Sequence, residues 1–205
     1  MARKTAEDRR ADLLEAAQRV IRREGFAHLT LREVGAEAGV AHSLVRHYFG
    51  TRDELLAEAF ALAAESDQPS LPPYPGDSAS HLERLVHRTE PMDRDHYLMW
   101  IDAWSEAPRS PALKRTLRRY EDECQQSLAA LLAEGVAAGE YEVDDPLATA
   151  ARINAGIDGL AIQHYALDRL AKTELRAQIR VALEHHLDLP TGTLATDRPK
   201  AATKA

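Results

Sequence analysis

Between Gly39 and Arg52 the chain reads GVAHSLVRHYFGTR, and His42, Arg46, His47, Tyr48 and Arg52 crowd imidazole, guanidinium and phenol groups into that stretch. A guanidinium offers a planar fork of N–H donors, an imidazole donates or accepts at two nitrogens, and a phenol adds one O–H. Groups of this kind suit phosphate oxygens and the edges of bases. One short helix has little inner face on which to use them all, so the receiver lies outside the protein. No catalytic arrangement competes with this reading. Cys124 is the one cysteine and has no histidine at a useful spacing, and there is no phosphate-binding loop. His185 and His186 are adjacent, so they project in different directions and make a poor metal pair. The chemistry indicated is binding: not an enzyme, with no cofactor and no metal.

The elements that must present these groups are legible around them. Leu13, Leu14, Ala17, Val20 and Ile21 recur at threes and fours, which predicts an amphipathic helix from near Ala6 to a stop at Gly25. Thr30 and Glu33 stand at capping-box spacing and open a short second helix to about Ala38. Gly39 breaks it, and a third helix runs from about Ala41 to Phe49. Thr51 and Glu54 repeat the box for a fourth, ending near Glu65. Two short helices joined by a glycine turn make a helix-turn-helix, whose second helix enters the major groove while the first crosses the backbone. Val34, Ala38, Val40 and Val45 are spaced to fill the core between them. His42, Ser43, Arg46 and His47 are left pointing outward.

With those residues in place, TLREVGAEAGVAHSLVRHYFGTRDELL resembles the N-terminal domain of TetR-family transcriptional regulators, without a gap over residues 8 to 62. The Gly39-Val40 turn, the end His47-Tyr48-Phe49, the Thr51-Arg52 pair and the apolar helix that follows all fall at family spacing. The resemblance implies that Thr30 caps helix 2, that Arg32 reaches a phosphate or a guanine edge, and that His42 and Ser43 read bases. It implies that His47, Tyr48 and Arg52 grip phosphates. Three positions depart from the pattern. Ala41 replaces a usual Ser or Thr and forgoes a cap worth about 1 kcal/mol. Leu44 stands where a polar residue is usual and could meet a thymine methyl. Arg46 replaces an aromatic and reads guanine or holds a phosphate. Arg3, Lys4, Arg9 and Arg10 form a basic N-terminal arm, with Lys4 the candidate phosphate contact and a solvated terminus the plain alternative.

Beyond SDQPSLPPYPGDS (residues 66–78), a proline-rich loop or linker, the pattern stays helical. Ser80 and Glu83 open one helix; another spans about Asp93 to Glu106. Ser110-Pro111 begins a long helix to about Gly139, and Asp145-Pro146 begins one to about Leu167. Thr173 caps the last, which ends before Pro190. Tyr97, Trp100 and Trp104 share one helix face, and Asn154 and Asp158 lie one turn apart on a mostly apolar helix. Together these five are the candidate effector site. An aromatic stripe is as consistent with core, and an Asp158 paired with arginine is as consistent as one facing a cationic ligand. The segments MWIDAWSEA and AGIDGLAIQ resemble the C-terminal domain of the subgroup containing the choline-responsive betaine-pathway repressor. The small residues Ala148, Ala151, Ala155 and Gly159, with Ile162, form a second stripe opposite Leu147, Ala150, Ile157, Leu160 and His164. With Ile179 and Leu183 of the last helix, that second stripe is the expected dimer interface, and the resemblance implies a four-helix seam between two copies.

Composition agrees with a packed, largely helical body: of 205 residues 44% are hydrophobic and 29% charged, and Ala and Leu dominate. The net charge of −7 is unevenly spread, since residues 1–52 hold ten Lys/Arg against seven Asp/Glu. A basic head on an acidic body is the footprint of a phosphate-facing module joined to another task. No apolar run is long enough for a membrane span, the N-terminus is no signal peptide, and a cytoplasmic location is expected. The expectation is all-α: a helix-turn-helix domain over 1–52, a helical effector-binding and dimerisation domain over 53–189, and a disordered tail over 190–205. The function expected is that of a homodimeric repressor on a double-stranded, pseudo-palindromic DNA operator, released by a small-molecule inducer. The rival is a helical small-molecule- or partner-binding protein whose head no longer binds DNA.

Overall fold

The computed structural model describes residues 5–66 and 79–194, and every regular element among them is helical. The proline-rich segment from Asp67 onward, Arg3 and Lys4 of the basic arm, and the last eleven residues lie outside the described residues. The chain forms two compact units. One holds 5–66 and 94–121, the other 79–93 and 122–194.

In the first unit, α1 (Ala6–Glu24) starts at Thr5, whose hydroxyl accepts from the Asp8 N–H while Asp8 returns a bond to the Thr5 N–H. Its apolar stripe, Leu13, Leu14, Ala16, Ala17 and Val20, is buried. Gly25 ends it at φ 82°, and Phe26–His28 makes a single 3-10 turn. Then come α2 (Leu31–Glu37), α3 (His42–Phe49) and α4 (Arg52–Ser66). Phe26, Leu29, Val34, Val45, Phe49, Leu55, Leu56 and Phe60 join α1's stripe in one core, which turns α2 and α3 into a platform.

The second unit opens with α5 (His81–Arg88). Both halves of its capping box are present at Ser80 and Glu83, and the Glu140 carboxylate also accepts from the N–H groups of His81 and Leu82. α6 (Arg94–Glu106) belongs to the first unit, and α7 (Pro111–Ala137) runs from the first into the second. Gly135 on α7 is needed because Tyr141 crosses there: a Cβ would stand 2.1 Å from its hydroxyl oxygen. That phenol, pushed up to about 12 by burial, donates to the Leu131 carbonyl.

α8 (Pro146–Ala161) is capped by Asp145, with proline at its first position. The expected single helix to Leu167 instead relaxes into a π-helical turn, Ile162–Ala166, after Ala161. The last helix, α9 (Lys172–His186), corrects a second expectation: its N-cap is Ala171, not Thr173. Glu174 accepts the Ala171 N–H at 2.7 Å, so the carboxylate half of a capping box acts without a hydroxyl half. The first residues assigned to the tail are tied down. Glu184, itself buried, accepts the N–H groups of Gly192 and Leu194, and Arg180 donates to the Leu194 carbonyl.

Candidate nucleic-acid interface

The second helix of a reading head must be held from behind and bare in front. Val45 and Phe49, one turn apart, anchor α3 in the core at 0% and 3% exposure. Close approach of α2 sets its start: a Cβ on Gly35 would meet the Val40 carbonyl oxygen at 2.9 Å and the His42 N–H nitrogen at 3.2 Å. Only glycine lets the two helices meet so tightly. Ala41 caps α3 without a side-chain bond, as its residue type dictates.

On the front, His42, Ser43, Arg46 and His47 are exposed, and Leu44 is half-buried beside them. Arg46, His42 and Ser43 have no side-chain hydrogen bond or ion pair among the described residues, and His47 touches only the Tyr48 ring, edge-on at 5.4 Å. Arg32 on α2 is exposed and equally unpaired among the described residues. Thr30 caps α2, accepting from the Glu33 N–H at 3.2 Å and donating to the Glu33 carboxylate. Tyr48 packs half-buried against the core, where Phe49 is fully enclosed with the Arg10 guanidinium 5.1 Å over its ring.

Three other arginines of the head are bound to carboxylates. Arg10 pairs with Glu58, and Arg19 and Arg23 both bind Glu37. Those two bonds hold the Glu37 carboxyl below its ordinary range. Arg52, grouped by the family resemblance with the phosphate-gripping residues, is held within the chain. Its Nε donates to the Leu29 carbonyl at 2.6 Å, Nη2 to those of Phe26 and Ala27 at 2.8 and 3.2 Å, and Nη1 to Glu106 at 3.0 Å. Sequence reasoning missed Glu106 because nothing local to position 106 signals a partner 54 residues away.

Of the five expected effector residues, three fall in the first unit and two in the second. Tyr97 is buried. Trp100 packs edge-on against Phe60 with ring centroids 5.0 Å apart, its Nε1–H buried and without a partner among the described residues. Trp104 lies 5.8 Å from Trp100 and donates to Glu121. Trp100 and Trp104 are partly buried against the core of the first unit, with one orphaned donor among the described residues. Asn154 and Asp158 are half-buried on α8.

Of the expected dimer stripe, Ala155 and Gly159 are exposed, and Ala148, Ala151 and Ile162 half-exposed. Ile179 and Leu183 do not belong with them: at 4% and 1% exposure they lie in their own unit's core. The outward positions of α9 are instead Ala177, Gln178, Val181 and His185.

A helix-turn-helix with an uncommitted outer face, followed by an all-helical body, agrees with what the chain matches. Residues 13–59 match the family described as bacterial regulatory proteins, tetR family. Residues 77–188, more than half of the chain, match the BetI-type transcriptional repressor C-terminal domain. The chain belongs to the BetI-type repressors of the tetR family. It is a DNA-binding, ligand-responsive transcriptional regulator by family and not an enzyme. The HTH-type transcriptional regulator BetI of Agrobacterium fabrum is 28% identical over 162 residues, covering 76% of each chain. That of Rhizobium meliloti is 30% identical over 130 residues, 58% of this chain and 62% of its own. Among solved structures, a TetR-family regulator from Rhodococcus superposes with a TM-score of 0.75 at 23% identity, over 87% of this chain and 98% of its own. A regulator from Saccharomonospora viridis in complex with choline gives 0.72 at 25% identity, over 88% and 98%. No helix among the described residues is long and apolar enough to cross a membrane.

Proposed function

We propose that this regulator acts in the cytoplasm as a homodimeric repressor on an inverted-repeat operator. Each copy lays α3 in a major groove, the two grooves about 34 Å apart. The observation that carries this is the outer face of α3, where the side chains of His42, Ser43 and Arg46 make no hydrogen bond or ion pair among the described residues, while Arg10, Arg19 and Arg23 are bound to carboxylates. Arg46, with His42, Ser43 and Leu44, reads bases. A free guanidinium on this face favours guanine, whose O6 and N7 accept its two parallel N–H groups. Arg32, His47, Tyr48 and the arm residue Lys4 hold phosphates.

The exposed small-residue face of α8, Ala155 and Gly159 with half-exposed Ala148, Ala151 and Ile162, is proposed as the seam between copies, flanked by Val181 of α9. For the effector, the solved relative with choline supports a quaternary ammonium ligand. Such cations are held over indole and phenol faces, and α6 is where this chain concentrates them. Ligand releases DNA only to the extent that it binds the released conformation more tightly.

The test is a gel shift with the chain's own upstream DNA, titrated with choline. A shift that competitor DNA of unrelated sequence leaves in place, and that choline reverses, is expected. The absence of any preferential shift would leave the rival reading, a binding protein with a silent head. Retention of the shift at saturating choline would remove the quaternary ammonium proposal alone.

A further inference from the structure

The turn between α1 and α2 is bracketed from one helix. Asp102 and Glu106 lie one turn apart on α6. Asp102 accepts the Phe26 N–H at 2.6 Å, at the turn's start. Glu106, only 5% exposed, holds the Arg52 guanidinium, which collects the carbonyls of Phe26, Ala27 and Leu29 at the turn's end. A second cation, Arg109, bonds the other Glu106 oxygen at 3.1 Å. Burial pushes the Glu106 carboxyl up, but the bonds from Arg52 and Arg109 outweigh it and hold it below the usual carboxylate range.

Arg52 is the first residue of α4, three positions after the end of α3. Four acceptors already take its N–H groups, and a guanidinium has five in all. A hand so occupied has one N–H left for a phosphate. We propose that Arg52 is a positioning residue: through Glu106 and the three carbonyls it fixes the start of α4, and with it the pose of α3, and it makes no phosphate contact that contributes to operator affinity. This rests on the reading of α3 as the DNA-binding helix, and it departs from what the family resemblance implies for Arg52.

Charge and geometry predict opposite outcomes here, which makes the proposal testable. A lysine keeps the positive charge but has one compact ammonium that cannot reach four acceptors spread around a planar fork. Glu106→Gln removes a negative charge beside the head, so charge alone would tighten DNA binding. The experiment measures operator affinity of the full-length chain between about 50 and 200 mM salt. The variants are Arg52→Lys, Arg52→Ala, Glu106→Gln and the double variant Arg52→Ala with Glu106→Gln, each checked by thermal melting.

The proposal expects Arg52→Lys to bind as poorly as Arg52→Ala, about tenfold or more below wild type, because either change leaves buried acceptors unpaired. Glu106→Gln should weaken binding too, the double variant should be no worse than Arg52→Ala alone, and the log–log salt slope should stay at the wild-type value in all four. Full affinity in Arg52→Lys, or a slope flattened by about one unit per head in Arg52→Ala, identifies a phosphate contact and overturns it. Additive losses in the double variant overturn it as well. A wild-type chain that prefers no duplex sinks the DNA reading, and this proposal with it.

Discussion

Two faces of this regulator lack partners among the described residues, and their chemistry is opposite. The outer face of α3 carries a guanidinium, two imidazoles and a hydroxyl. The outer face of α8 carries Ala155, Gly156 and Gly159, where a Cβ added at either glycine meets nothing within 4 Å. Burial of the first without new hydrogen bonds would cost free energy, so it waits for a surface dense in acceptors. Burial of the second would let backbones approach closely, which suits the helix of a second copy proposed for it. The difference teaches that exposure alone does not name a partner; the groups left exposed do.

The largest expected effect tests the α8 side. Gly159→Arg places bulk and charge in the proposed seam, and sedimentation should then show monomer. Operator affinity should fall by about 100-fold or more, because the two heads no longer bind as one unit. A variant that remains dimeric would put the seam elsewhere and break the contrast.

A gentler change at the same position sharpens it. In the isolated chain Gly159→Ala meets open space, so helix propensity alone should stabilise the monomer by up to about 1 kcal/mol. In a close-packed seam the same methyl overfills the gap, and dimer affinity should drop about tenfold. Opposite signs in chemical denaturation and in dilution-driven dissociation would mark the face as an interface. Gains in both would mark it as free surface.

On the α3 side, Arg46→Ala should cost about 1–3 kcal/mol on the preferred sequence and little on random DNA, relaxing preference at one guanine per half-site. Arg32→Ala should weaken all sequences alike and flatten the salt slope by about one unit per head. If the two variants exchange these signatures, the base-reading and phosphate-holding roles are reversed.

The smallest effect concerns pH. Glu106 is depressed in the folded chain, so its bond to Arg52 contributes stability above the ordinary carboxylate range. That contribution is lost progressively as pH falls from the ordinary carboxylate range through the lower folded value. Thermal melting of wild type and Glu106→Gln should differ by a constant amount from pH 6 to 8 and converge in acid. A difference that changes between pH 6 and 8 would assign the stability to another group.

What was legible in the sequence was local. Capping pairs such as Thr30 with Glu33 and Ser80 with Glu83 bond across three residues, so their spacing states the helix starts. The outward set on α3 followed from Val45 and Phe49 marking the inner face. The bonds of Arg52 were not legible, because its partners Leu29 and Glu106 lie 23 and 54 residues away and no spacing rule connects them. Ile179 and Leu183 show a related limit: helical period groups residues on a face, but it does not say whether the same chain or a second copy covers that face. For Trp100 and Trp104, core and pocket use the same residues, and the difference is one orphaned N–H.

The account turns on α3 reading DNA as one of a pair. Selection of bound sites from random duplexes by the wild-type chain tests that directly. An enriched inverted repeat is predicted, with half-site centres one helical turn apart, about 10 base pairs, or a small multiple of that. A guanine should recur in each half, and it should vanish from the repeat selected by Arg46→Ala. Recovery of no enriched sequence, or of a single unpaired half-site, would contradict the account.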